Sequence, residues 1–149
     1  MTATMYAPAM PFSASPRQAG ASALYRQVGV ETSVDAASPH RLVAMLFDGL
    51  LEAIAQARAA LGAGEVEKKG RAITKAVRIV DEGLKAALDH EGGGTLSRDL
   101  AELYDYLTLR LTQANLRNDD PLLAECQRLV EPVREAWASI APQVDAGAR

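Results

Sequence analysis

Histidines, a cysteine and paired carboxylates are the residues of this 149-residue chain that could do chemistry, and their spacing fits no catalytic centre. A di-iron bundle needs Glu-x-x-His pairs on facing helices. The two histidines, His40 and His90, have Ala37 and Ala87 three positions before them. A phosphotransfer bundle exposes a reactive histidine in the middle of a helix. His40 instead follows Ser38-Pro39 at an expected helix start, and His90 abuts the glycine run "EGGG". Both read as solvated histidines near helix ends. Asp48 and Glu52, four residues apart, point away from the apolar stripe of their helix and read as a solvated face rather than a paired acid site. Cys126 shares helical spacing with Leu122 and Leu129, so it reads as a core thiol. As the single cysteine it forms no internal disulfide, which suits a reducing compartment. No glycine loop has the spacing of a phosphate cradle. The chain is therefore expected not to be an enzyme and to hold no metal or cofactor.

The elements that carry these residues are expected to be helices. The chain is about one domain long and can bury a single core. Its 48% apolar and 23% charged residues match a globular protein, and the scarcity of aromatics, 5%, beside abundant Leu and Ala favours helix over strand. A net charge of −3 and the lack of a basic stripe speak against nucleic acid. The opening residues lack the basic region and apolar run of a signal peptide, and no later stretch is apolar enough to span a membrane. A cytoplasmic protein without membrane insertion is expected.

Punctuation divides the chain into a disordered tail over 1–23, with Pro8, Pro11 and Pro16, an N-terminal arm over 24–37, a helical region over 38–141 and a C-terminal tail over 142–149. Ser38-Pro39 supplies an N-cap and a preorganised first position for helix one, which "GAG" at Gly62 to Gly64 stops. Its inward stripe is Val43, Leu46, Leu50, Ile54 and Ala57. Helix two spans about Glu65 to Asp89, with Val66, Ile73, Val77, Val80, Leu84 and Leu88 inward. Helix three spans about Thr95 to Arg117 and ends where Asn118 can take a left-handed cap. Asp120-Pro121 then reads as the N-cap and first position of helix four, which turns Leu122, Cys126, Leu129, Val133, Trp137 and Ile140 inward. Pro132 should bend that helix by removing the bond to the Arg128 carbonyl. The expected fold is all-α, an antiparallel up-down four-helix bundle with a flexible N-terminal arm.

Helix three, in "LYDYLTLRLTQANLRND", is apolar on two sides. Leu103, Leu107, Leu111 and Ala114 form one stripe, and Tyr106, Leu109, Gln113 and Leu116 form another about 140° around the helix. One stripe suffices for a core, so the second is the best functional clue. On helix two, Ala72, Ile79, Gly83 and Ala86 are read as a further outer face whose small side chains admit a close neighbour. Together these faces suggest an apolar groove for a partner chain. A self-associating structural bundle, with the grooves paired between identical subunits, is the alternative.

The pieces "YRQVGVETSV", "ASPHRLVAMLFDG", "KAVRIVDEGLKAALD", "LAELYDYLTLRLTQANLRND" and "REAWASIAP" resemble, in order, the flagellar secretion chaperone family FliS over about Leu24 to Ile140. The resemblance implies a cytosolic export chaperone that binds the C-terminal segment of flagellin and keeps it from polymerising. It also implies delivery of the complex to the flagellar type III export gate. An anti-sigma factor stays open as a further partner. By the same resemblance the client-binding residues are Tyr25, Val28, Tyr104, Tyr106, Leu109, Asn115 and Leu116, with Ile79 and Gly83 added from helix two. Tyr104 lies only about 60° from Leu107 and so also reads as core. The tail before Leu24 and Pro132 depart from the family pattern.

Overall fold

The computed structural model describes residues 38–88 and 93–140. Tyr25, Val28, His90, both tails and the arm lie outside the described residues. Within them, the expected helices form with small shifts at their ends.

Helix α1, Pro39–Gly62, begins where Ser38 Oγ accepts from the Arg41 N–H at 3.1 Å, with Pro39 as its first residue. Gly64, at φ 76°, takes the left-handed turn beyond it. Helix α2 runs over Val66–Arg78 and continues into a π-helical segment, Ile79–Leu84, in which the Lys85 N–H reaches the Val80 carbonyl five residues back. Helix α3 covers Gly94–Arg117 and closes on Asn118, whose φ of 51° gives the expected left-handed cap. Helix α4, Asp120–Ser139, starts one residue earlier than expected. Asp119 is extended and its carboxylate accepts from the Leu122 N–H, so Asp119 is the N-cap and Pro121 the second helical residue. That shift releases the Asp120 carboxylate to bind Arg58 of α1 at 2.9 and 3.1 Å. Exposed Pro132 is accommodated within α4, which remains one helix.

Each helix packs on two neighbours, in the cyclic order α1, α2, α3, α4. The three-residue link from α1 to α2 makes them antiparallel neighbours. Lys69 near the start of α2 meets Asn115 near the end of α3, so these two also run oppositely. The first turn of α1 meets the last of α4, and Arg58 meets Asp120 at their other ends. The architecture is an all-α bundle, as expected.

A core of Leu46, Leu50, Ile54, Ile73, Leu107, Leu111 and Leu123, among others, fills the centre. Several face assignments need correction. Ala72, Ile79 and Gly83 are buried, with Ile79 at 0% exposure, rather than lining an outer groove. The reason is that α2 packs on both α1 and α3, which widens its buried face to about half its circumference. Val66 points correctly by periodicity but is 54% exposed, because it begins α2 at the edge of the core. Val43, Val77, Leu129, Val133 and Trp137 pack only half-buried against the core.

His40 is not a solvated histidine. It is buried, its ring stacks on Trp137 with centroids 4.7 Å apart, and its Nε2 lies 2.9 Å from the Trp137 carbonyl. A carbonyl can only accept, so Nε2 carries a proton. Trp137 Nε1 donates in return to the His40 carbonyl at 3.0 Å. This clasp ties the first turn of α1 to the last turn of α4. His40→Ala should therefore cost about 1–3 kcal/mol of stability. It should also red-shift the emission of Trp137, the chain's single tryptophan. Unchanged emission and melting would remove the clasp from the account.

Asp48 is exposed and pairs with Arg134 at 3.0 Å, in keeping with a solvated face. Cys126 is fully buried, and burial pushes its thiol up to about 12. The thiolate is the reactive form, so thiol reagents should label Cys126 only after denaturation. Rapid labelling of the native chain would contradict this packing.

Candidate functional site: the outer face of α3

Helix α3 sorts its side chains by direction. Leu107 and Leu111 point into the core, and Leu109, about 200° from Leu107, points away from it. Leu109 is 52% exposed and Leu116, two turns on, 80%. The second apolar stripe is therefore real, and its centre faces outward.

The flanks of the helix are used differently. On the α4 side, Tyr106 is 38% exposed and its hydroxyl donates to Glu125 Oε2 at 2.7 Å. Arg110 Nε donates to Glu125 Oε1 at 3.1 Å, its Nη1 donates to Gln113 at 2.8 Å, and its guanidinium lies 5.6 Å from the centre of the Tyr106 ring. The hydrogen bonds from Tyr106 and Arg110 hold the Glu125 carboxyl below the usual carboxylate range. A lowered carboxyl pKa adds stability above its unfolded value, and that stability fades only as pH falls through the lowered one. The latch therefore stays closed at neutral pH. The bond to Glu125 raises the Tyr106 phenol in turn.

On the α2 side, Tyr104 is 2% exposed and burial raises its phenol strongly, which makes it a core residue. Asn115 is half-buried and engaged by α2. The buried Lys69 ammonium donates to its side-chain oxygen at 2.7 Å and to its carbonyl at 3.0 Å. That carbonyl belongs to the last turn of α3, where a cation also meets the negative end of the helix dipole. Lys85 bridges to Asp105 of α3 at 2.6 Å.

The structure thus brings Tyr106, Leu109 and Leu116 to one surface, and it removes Tyr104, Ile79 and Gly83 from it. Asn115 is half-buried and turned towards Lys69 of α2. Sequence reasoning missed Lys69, Arg110 and Glu125. Lys69 left a signal, as a lone cation on the Ala72, Ile73 and Ala76 face, whereas Glu125 left none, because its role depends on which helix lies opposite. A cleft of about 560 Å³ between α1 and α4 is lined by Arg58, Asp120 and Gln127 with small apolar residues. Its charged groups satisfy one another. Among the described residues no group of three or more acidic, histidine or cysteine side chains could hold a metal ion, and no helix is long and apolar enough to cross a membrane.

The family model "Flagellar protein FliS" matches residues 21–144. The chain belongs to the FliS family. It is 50% identical over 119 residues to the flagellar secretion chaperone FliS of Salmonella typhimurium, covering 80% of this chain and 88% of that protein. It is 44% identical over 116 residues to flagellar secretion chaperone FliSB of Pseudomonas aeruginosa, covering 78% and 91%. With FliS of Bacillus subtilis it shares 36% identity over 107 residues, 72% and 78% of the two chains. The FliS family is one of secretion chaperones, not of enzymes. A bundle with an exposed apolar stripe on one helix suits that kind of work.

Proposed function

We propose that this FliS-family chain is a cytosolic export chaperone that binds the C-terminal segment of flagellin, prevents its premature polymerisation and presents it to the flagellar type III export gate. The observation that carries the reading is the exposure of Leu109 and Leu116 on the side of α3 opposite the core. An amphipathic client segment that has no partner until it enters a filament would gain cover by laying its apolar face on that stripe. Ordering such a segment on docking lowers affinity per unit area, which keeps binding reversible, as export requires. Tyr25 and Val28 of the N-terminal arm belong to the same binding surface in this reading, and an anti-sigma factor remains an open second partner.

The test is to mix the full chain with intact flagellin and with flagellin lacking its C-terminal segment, following association by sedimentation. A complex with the intact protein alone supports the reading. Equal binding to both would remove the C-terminal specificity. Self-association of the chain without binding to either would favour the structural bundle instead.

A further inference from the structure

Glu125 of α4 lies outside the apolar stripe, yet its one carboxylate holds two side chains of α3. Each oxygen takes one bond, from the Tyr106 hydroxyl and the Arg110 guanidinium, and Arg110 passes a second bond to Gln113 one turn on. The guanidinium packs on the Tyr106 ring. Tyr106, Arg110 and Gln113 are spaced by four and three residues, so they form one row along the flank of α3 beside Leu109. The ring of Tyr106 is thereby fixed before anything docks. The charges of Arg110 and Glu125 also meet at 3.1 Å, so this pair adds no net charge beside the stripe.

We propose that Glu125 is a positioning residue for the docking face: it holds Tyr106 in the orientation that receives a client and neutralises Arg110, so that the face selects an amphipathic helix whose apposed side is apolar and uncharged. This rests on the client-binding reading above. A side chain immobilised in advance does not have to be ordered on binding, and each such ordering costs affinity. Losing Glu125 would free the Tyr106 ring and leave a bare cation beside Leu109, which opposes an apolar partner and favours an acidic one.

The experiment uses the full chain and intact flagellin, with E125A, E125Q, Y106F and the E125A/Y106F pair. E125A should weaken binding about threefold to tenfold, while melting stays within about 3 °C, because partly exposed ion pairs add little stability. E125Q keeps an acceptor for the tyrosine hydroxyl but no charge for Arg110, and should recover only the part of the loss that comes from the freed ring. Y106F leaves the Arg110–Glu125 pair in place and should show part of the E125A loss, and the double variant should be no weaker than E125A alone, since the Tyr106 contact is already gone there. A readout without client is the ultraviolet titration of the phenols: E125A should bring the ionisation of Tyr106 to lower pH, towards that of an ordinary tyrosine. Wild-type affinity in E125A, multiplied losses in the pair, or an unmoved phenol titration would each overturn the positioning role. A wild-type chain that binds no flagellin overturns the client assignment as well, whereas wild-type binding with an unaffected E125A overturns the positioning role alone.

Discussion

Replacing Leu109 with glutamate should weaken flagellin binding by at least about 2 kcal/mol, roughly thirtyfold, and leave the bundle folded. Leu109 is half exposed at the centre of the outward stripe, one turn from Tyr106 and two turns from Leu116. A client helix lying there would have to bury the new carboxylate, and no cation of the described latch is free to meet it, because Arg110 already serves Glu125 and Gln113. In the free chaperone the same carboxylate points to water, and glutamate is as good a helix former as leucine. Helical content and melting should therefore barely change, and calorimetry with flagellin beside thermal melts separates the two effects. Unfolding of Leu109→Glu would show that the stripe is core.

The helices were legible because their punctuation is local. Ser38-Pro39, Gly64 and Asn118 impose backbone geometry on their own neighbours, and each acts in the structure as its residue type demands. The two-faced character of α3 was legible for the same reason, since periodicity alone places Leu107 and Leu109 on opposite sides. What local pattern could not supply was the number of neighbours each helix has. Helix α2 looked as though it had a spare face, but contact with both α1 and α3 consumes it and buries Ile79. The π-helical segment over Ile79–Leu84 compounds the difficulty, because an i to i+5 turn breaks the 100° step on which face assignments rest. The burial of His40 is hidden from local pattern in a similar way. Its position in a first turn suggested solvent, whereas the partner that buries it, Trp137, is 97 residues away. The Glu125 latch belongs to the same class of long-range facts, since α4 carries no pattern that marks one carboxylate among several.

Ile79 offers the sharpest contrast with Leu109, because the two were read from sequence as parts of one apolar groove. Ile79 has no exposed surface and belongs to the central cluster, at the first residue of the π-helical segment. Ile79→Ala removes three buried carbons and leaves a cavity that rigid neighbours fill only in part, so about 2–5 kcal/mol of stability should be lost. For a bundle of this size the loss should lower the melting temperature by more than about 8 °C. Because the residue presents nothing to a client, flagellin affinity measured well below the new melting point should stay within about twofold of wild type. The opposite pattern, unchanged melting with lost binding, would return Ile79 to the docking surface. The two substitutions together thus read the boundary between core and client face directly, with stability lost on one side of it and affinity on the other.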